Sequence, residues 1–251
     1  MPYDFGFMLV AAAVVFIVGV SKSGLASGVG ALAVPLLALF LPPLVAAAIL
    51  LPLLSCIDVV VIWKYWKKIR RDLVLLCLPG GIFGVFVASL SIGAFDPAWV
   101  KLIVAVIALW FSGLYYFGDW LPRLRVETGV KSAVFFGSIS GFSSFFAHSG
   151  GPPMRALLLH RNLDKSAYVG TFGAFFGIVN GLKVVSYGML GQFTEQTLTA
   201  SLMLAPFVVL GIIAGLRLHA IMNQTLFTRF AYAMLAVAGT KLLYDASMTL
   251  F

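Results

Sequence analysis

Long apolar segments follow one another along the whole chain, and they restrict its fold more than any other feature. Only 10% of the 251 residues are charged and 61% are hydrophobic, whereas a water-soluble domain needs about 25% charged residues to hydrate its surface. A backbone in lipid must satisfy its hydrogen bonds internally, and the sequence lacks the two-residue alternation of a β-barrel. We therefore predict an all-α polytopic membrane protein.

Ten apolar segments can be distinguished. Those of the first half are 5–20, 28–41, 44–63, 73–93 and 99–117, and those of the second half are 131–147, 150–160, 166–185, 197–216 and 228–246. The first two segments of each half are short against the roughly 20 residues that cross a bilayer. We interpret each short pair either as two tilted helices that meet inside the protein or as a re-entrant hairpin.

The two halves repeat one pattern of residues. At an offset of 122, Gly19, Ser21, Ser27, Gly28 and Asp58 correspond to Gly141, Ser143, Ser149, Gly150 and Asn180. At an offset of 127, Pro79, Gly84 and Asp96 correspond to Pro206, Gly211 and Asn223. Each half has an odd number of net crossings, so we predict two inverted repeats, 1–120 and 121–251, in one integrated membrane domain. Paired glycine-rich breaks in such repeats indicate a transport site.

The basic residues predict the orientation. If the five in 64–71 are cytoplasmic, counting helices places seven more on that side, so twelve of the seventeen basic residues are inside, as the positive-inside rule requires. The loop 186–196 has no basic residue and is predicted outside, together with both termini. The net charge of +8 is thus explained by orientation, and we do not expect nucleic acid as a partner. The N-terminus lacks the basic region of a cleaved signal peptide.

Serine and glycine cluster at the two breaks, residues 19–30 and 141–152, which separate the short segments of each half. Glycine at the start of a short helix lets a ligand approach the unpaired N–H groups and the positive end of the helix dipole. The alternatives are ordinary helix caps and close helix packing. The candidate substrate-binding residues of the breaks are Ser23, Ser27, Gly28, Ser149, Gly150 and Gly151.

Charged residues at membrane depth cost about 2.5–3.5 kcal/mol each and need a reason. Lys22 and Arg155 are candidate anion-binding cations, although Lys22 could snorkel to the surface and Arg155 could belong to the cytoplasmic flank. Asp58 is a candidate proton carrier. It could instead form a salt bridge with Lys22 or be a polar residue with a structural role. Its counterpart Asn180 is neutral and is a further candidate binding residue. For Lys183, one turn later, snorkelling outward is the favoured interpretation.

His148 occurs only in the second break. An imidazole can titrate near neutral pH, so His148 is a candidate for substrate binding and for proton coupling, and a structural role is the alternative. The histidines are scattered and Cys56 and Cys77 lie in apolar segments, so we expect no metal site and no disulfide. No nucleotide-binding loop is present, and we expect no cofactor. An intramembrane serine hydrolase using Ser140 remains an alternative of a different class.

The chain resembles the TauE/SafE sulfite exporter family. The resemblance rests on the duplication, on the first break with Ser-Gly-Leu-Ala-Ser-Gly-Val-Gly-Ala-Leu-Ala-Val at 23–34 before Pro35, and on His-Ser-Gly-Gly-Pro-Pro at 148–153. It implies a fold of about eight spans and transport of sulfite, sulfonates or related anions across the bacterial cytoplasmic membrane. Some relatives could carry other small organic anions.

The sequence therefore predicts a secondary transporter, not an enzyme, with a small sulfur-containing anion as substrate. Its lipid-embedded site lies between the two breaks, and one half rocks against the other. The oligomeric state is open between a monomer and a homodimer.

Overall fold

The computed structural model describes residues 4–25, 29–92, 96–117, 129–159, 161, 163–218 and 224–250. Every regular element within these ranges is helical, which confirms the predicted all-α class. The α-helices are α1 (Phe5–Val20), α2 (Ala33–Leu37), α3 (Pro43–Tyr65), α4 (Arg71–Ser91), α5 (Pro97–Phe117), α6 (Val130–Ala147), α7 (Gly151–Leu159), α8 (Lys165–Met189), α9 (Glu195–Leu218) and α10 (Gln224–Leu250). A π-helical turn, Ser21–Leu25, continues α1, and 3₁₀ turns occupy Val29–Leu32 and Trp66–Lys68.

Seven stretches among the described residues are long and apolar enough to cross a membrane. They are Phe5–Ser23, Pro43–Lys68, Arg71–Ser91, Pro97–Phe117, Val130–Ala147, Lys165–Met189 and Glu195–Arg217. α10, with 27 residues, also exceeds the roughly 20 residues that a span needs. α2 with five residues and α7 with nine cannot cross. The first segment of each pair was predicted to be short, but Phe5–Ser23 and Val130–Ala147 are long enough to cross, and only the second segment of each pair is too short.

Helix packing relates the two halves to each other. α4 packs along α6 and α1 packs along α9, while α3 packs against α8 and α5 against α10. Suppose that α1–α5 correspond in order to α6–α10. The contact of α4 with α6 then corresponds to the contact of α9 with α1, and the contacts of α3 with α8 and of α5 with α10 each correspond to themselves. A two-fold relation between the halves produces this pattern of contacts.

Two glycines reproduce that exchange at the level of single atoms. A Cβ added to Gly84 of α4 would lie 2.1 Å from the backbone oxygen of Ser138 in α6. A Cβ added to Gly211 of α9 would lie 2.4 Å from the backbone oxygen of Phe16 in α1. Gly84 and Gly211 correspond at the offset of 127, and Phe16 and Ser138 correspond at 122. Such close backbone approach is typical of small residues between membrane helices.

The opposite membrane orientation of the halves stays a prediction. The predicted boundary between residues 120 and 121 lies outside the described residues.

α3 and α8 are the most buried of the candidate spans, so polar side chains on their facing sides lie inside the protein. Pro43 starts α3, where its missing N–H costs no helical hydrogen bond. Asp164 caps α8 by accepting hydrogen bonds from the N–H groups of Ser166 and Ala167, each at 2.9 Å. These bonds, with that from Ala167 the stronger, lower the pKa of Asp164. The two central helices are thus fixed at their N-terminal ends.

Candidate functional site

The first break positions a lysine side chain inside the protein. After α1 the chain continues as the π-helical turn Ser21–Leu25, a local widening of the helix that is frequent at functional sites. Lys22 lies on this turn, and its Nζ forms an ion pair with Oδ1 of Asp58 on α3. The Lys22 side chain is 13% exposed and that of Asp58 only 2%. The pair is therefore buried on the carboxylate side and reachable on the ammonium side.

The second break is built on a left-handed residue. α6 ends at Ala147, and His148 has φ 50°, the only positive φ of a non-glycine residue in the described ranges. This conformation costs an L-residue about 1–2 kcal/mol, although histidine adopts it more readily than most residues do. A Cβ at Gly150 would lie 2.3 Å from the backbone oxygen of Ser140. The chain therefore turns from α6 into α7 in a space that only glycine fits at position 150.

The two matched polar residues of the repeat touch each other. Asn180 of α8 donates from Nδ2 to Oδ2 of Asp58 at 2.6 Å, and both side chains are buried. The two oxygens of Asp58 thus have different donors, Lys22 on Oδ1 and Asn180 on Oδ2. The residue pair that the sequence offset of 122 joins is therefore a direct contact between the halves.

Lys183 is fully buried, which corrects the favoured interpretation that it snorkels outward. Its Nζ donates to Ser144 Oγ at 3.1 Å, to Asn180 Oδ1 at 3.1 Å and to Nδ1 of His148. An ammonium has three N–H donors, so these three acceptors satisfy it completely. Lys183 stays inside because its hydrogen bonds are available there, and it lies three residues after Asn180 on the same face of α8.

The contacts of His148 assign its tautomer. Nε2 lies 3.0 Å from the backbone oxygen of Ala47, and a carbonyl can only accept, so Nε2 carries the proton. Nδ1 then presents its lone pair to the Lys183 ammonium. Both ring nitrogens are occupied. His148 therefore links the second break to α3 and to the buried lysine.

These side chains form one connected group, which we call the polar cluster: Lys22, Asp58, Ser144, His148, Asn180 and Lys183. It borders a small cavity of about 30 Å³, which has room for about two water molecules. The residues that line this cavity are Ser21, Lys22, Gly30, Ala31, Leu54, Ser144, His148, Gly151, Phe172, Phe176 and Asn180. Both breaks and both central helices contribute to it.

Other predicted binding residues lie at different places. Ser23 donates to the backbone oxygens of Gly19 at 2.7 Å and Ile212 at 3.3 Å, so it joins α1 to α9 and does not line the cavity. Ser149 donates to the backbone oxygen of Ala31 at 3.1 Å and so connects the second break to the first. Ser27 and Gly28 lie outside the described residues.

Arg155 lies apart from the polar cluster. It is half-buried on α7 and lines a larger cavity between α5, α6, α7 and α10. Half of the residues that line this cavity are aromatic, among them Trp110, Phe135 and Tyr232. The structure therefore brings Lys22 together with Asp58, His148 and Asn180, but it does not bring Arg155 to the same cavity.

Lys183 belongs to the polar cluster but was not predicted as a site residue from the sequence. Its three-residue spacing from Asn180, which puts both on one helix face, is the signal that could have identified it.

Within the described ranges, Ser140 has no base hydrogen-bonded to its hydroxyl. The Oγ of Ser140 is buried without a hydrogen-bond partner, and the ring nitrogens of His148 are bonded to Ala47 and Lys183. A serine hydrolase needs the base within hydrogen-bond reach of the nucleophile. Among the described residues, no group of three or more histidine, cysteine or acidic side chains could hold a metal ion.

Comparison with known proteins identifies one family. The family model of the sulfite exporter TauE/SafE matches residues 11–242, which include both breaks and the whole polar cluster. No curated protein and no solved structure matches the chain.

Proposed function

Because the chain belongs to the sulfite exporter TauE/SafE family, a family of membrane transporters, we propose that it is a secondary transporter that exports small sulfur-containing anions. Sulfite and organosulfonates are the proposed substrates, and the bacterial cytoplasmic membrane is the proposed location. The proposed site is the cavity beside the polar cluster, at the meeting point of the two helix breaks.

One observation carries the proposal: the polar cluster gathers two lysines and a single carboxylate at a buried position among the described residues. The proposal takes both lysines as protonated, which leaves a surplus of one positive charge. Charges in a low-dielectric interior interact far more strongly than in water. A small anion in the adjoining cavity would neutralise this surplus.

Lys22 is the cation that faces the substrate in this proposal. Its Nζ has Asp58 as its hydrogen-bond partner among the described residues, which leaves two of its three N–H donors for a ligand. Lys183, in contrast, has all three donors occupied. Lys22 also lines the cavity, whereas Lys183 does not. The substrate would therefore contact Lys22, and Lys183 would act on it through its electric field.

The mechanism that we propose is alternating access about this cavity. The halves pack together through α1 with α9, α3 with α8, α4 with α6 and α5 with α10. The two helix breaks beside the cavity support this mechanism, because discontinuous helices form the substrate sites of secondary transporters with repeats. A membrane potential that is negative inside drives an anion outward by about 2.3 kcal/mol per charge and 100 mV. Export would thus need no coupled ion. The proposal does not require proton coupling through Asp58 or His148.

The proposed topology places the second half inverted relative to the first, with both termini outside. In a variant without Cys56 and Cys77, a membrane-impermeant thiol reagent applied to whole cells should label Leu190→Cys and not Lys68→Cys. The reverse labelling pattern would show that the orientation is wrong.

The transport experiment uses the purified protein in liposomes with an imposed potassium diffusion potential. We expect potential-driven flux of sulfite and methanesulfonate, with little flux of acetate or chloride. Lys22→Met should reduce the flux at least about tenfold, because a buried charge partner of the substrate is lost. Lys241→Met is the matched control, since Lys241 also pairs with an aspartate, Asp245, but on an exposed helix surface.

The outcomes separate the candidate substrates. Flux of acetate equal to that of methanesulfonate would indicate a carrier of other small organic anions. Flux no greater than in protein-free liposomes, for a protein that unfolds cooperatively on heating, would contradict anion transport.

A further inference from the structure

The carboxylate of the polar cluster is held at the place where a substrate anion would be neutralised. Asp58 uses Oδ1 for Lys22, the cation that lines the cavity, and Oδ2 for Asn180. It is the only acidic side chain of the cluster among the described residues. A transported anion must therefore share the Lys22 ammonium with a carboxylate that belongs to the protein.

The second positive charge of the cluster has no carboxylate of its own. Lys183 is surrounded by the neutral acceptors Ser144, His148 and Asn180. The amide of Asn180 is oriented by this arrangement, with its oxygen toward Lys183 and its nitrogen toward Asp58. Asn180 thus separates the Lys183 charge from the Asp58 charge. The Lys183 side chain has no exposed surface.

We propose that Asp58 sets the charge of the anion that the site accepts. The inference takes Lys22 and Lys183 as protonated and Asp58 as ionised, so the cluster is neutralised by one further negative charge. A singly charged anion, such as a sulfonate or hydrogensulfite, completes the neutralisation. A doubly charged anion leaves one uncompensated negative charge in a low-dielectric site, which is costly. The site therefore selects singly charged sulfur anions over doubly charged ones. This inference rests on the proposed function and specifies its substrate class.

The matched position in the repeat supports this charge count. Asn180 occupies the position that corresponds to Asp58, and the two side chains touch. A second carboxylate at position 180 would cancel the surplus charge and place two negative oxygens within hydrogen-bond distance of each other. Asparagine has nearly the same shape and carries no charge. The pair thus differs in charge and hardly in size, and the surplus depends on that difference.

The experiment compares two tetrahedral anions of similar size and fixed charge. Methanesulfonate carries one charge and sulfate carries two. Their dissociation constants are measured by ligand-induced thermal stabilisation of the detergent-purified full chain, since a ligand at 100 times its dissociation constant stabilises by about 2.7 kcal/mol. The readout is the ratio of the sulfate constant to the methanesulfonate constant.

Two nearly isosteric variants change the cluster charge in opposite directions, and their combination restores it. We expect the wild type to prefer methanesulfonate. Asp58→Asn should shift the ratio toward sulfate by about tenfold or more, and Asn180→Asp should shift it away from sulfate by a similar factor. The double variant Asp58→Asn with Asn180→Asp keeps one carboxylate in the touching pair and should restore the wild-type ratio. Asp245→Asn, in the exposed pair, is the control and should leave the ratio unchanged.

A purely structural role of Asp58 predicts a different result, because it would weaken both anions equally. A ratio that stays at the wild-type value in both single variants overturns the inference. If Asp58→Asn does not fold, an unchanged ratio in Asn180→Asp alone is sufficient to overturn it. If the wild type binds neither anion nor sulfite, the proposed function itself fails. That result is distinguishable, because it appears before any variant is compared.

Discussion

The two helix breaks occupy matched positions in the repeat, yet they obtain their cations from different places. The described part of the first, Ser21–Leu25, is a π-helical turn that carries its own cation, Lys22. The second is a left-handed residue, His148, whose cation comes from a neighbouring helix as Lys183. α3 supplies Asp58 to the lysine of the first break, and α8 supplies Asn180 to Lys183.

This difference shows that the duplicated scaffold and the duplicated chemistry follow separate rules. The scaffold keeps its contacts in both copies, because backbone packing tolerates little change. The polar residues diverge, because two identical copies would place two aspartates or two asparagines in contact at the centre. Two aspartates would repel each other, and two asparagines would leave the lysine charges without a carboxylate. The divergence yields one buried site with a single carboxylate.

The close glycine contacts test whether the helix packing is the same in both copies of the repeat. Changing them should give the largest loss of stability. Gly84→Ala and Gly211→Ala each place a Cβ within 2.4 Å or less of a backbone oxygen on the partner helix. Each should lower the free energy of unfolding by about 1–3 kcal/mol or more, because backbone atoms must move. Thermal unfolding in detergent measures the loss. A two-fold scaffold predicts similar losses for the two variants.

Gly113→Ala is the matched control, because nothing lies within 4 Å of its added Cβ in α5. It should be neutral or stabilising by up to about 1 kcal/mol through helix propensity. If Gly84→Ala is as stable as Gly113→Ala, the close contact between α4 and α6 is wrong.

The left-handed residue tests the second break alone. His148→Ala retains the unfavourable backbone conformation and removes the hydrogen bonds to Ala47 and Lys183. The free energy of unfolding should fall by about 1.5–3 kcal/mol, since one lost bond involves a charged donor. His148→Asn should lose less, because asparagine tolerates the left-handed region. Equal thermal stability of the two variants would argue against the left-handed conformation.

The serines of the two breaks should give the smallest effects. Ser149→Ala removes a hydrogen bond to Ala31, and Ser23→Ala removes bonds to Gly19 and Ile212. Each bond contributes about 0.5–1.5 kcal/mol to stability. Ser149 is adjacent to the site residues and bridges the breaks, whereas Ser23 joins α1 to α9. We therefore expect Ser149→Ala, and not Ser23→Ala, to alter anion affinity in the stabilisation assay as well.

Several parts of the site follow directly from the sequence. Lys22, Asp58, His148 and Asn180 were all predicted as site residues, because polar groups are costly in lipid and stand out from their apolar neighbours. The offset of 122 also indicated that Asp58 and Asn180 are equivalent. It did not indicate that they touch, because a repeat fixes correspondence and not distance.

Lys183 and Arg155 show where sequence reasoning reached its limit. Lys183 was expected to snorkel outward, yet it is buried with three hydrogen-bond acceptors. Arg155 was expected beside Lys22, yet it lines a separate aromatic cavity. In both cases the outcome depends on which neighbouring helix the residue faces. Helical periodicity gives the relative directions of side chains along one helix, but not the partner that each direction meets.

The sequence by itself determined that this protein is a helical membrane bundle, that its halves repeat and that polar residues gather at two breaks. It could do so because hydropathy, glycine and charge act locally and leave their pattern in the chain. Only the tertiary structure decided which polar groups bond to one another, which lysine faces the cavity and that the cluster carries a single carboxylate. Those properties arise mostly from contacts between residues on different helices, from Lys22 with Asp58, 36 positions apart, to Asp58 with Asn180, 122 positions apart. The packing of whole helices brings such residues together.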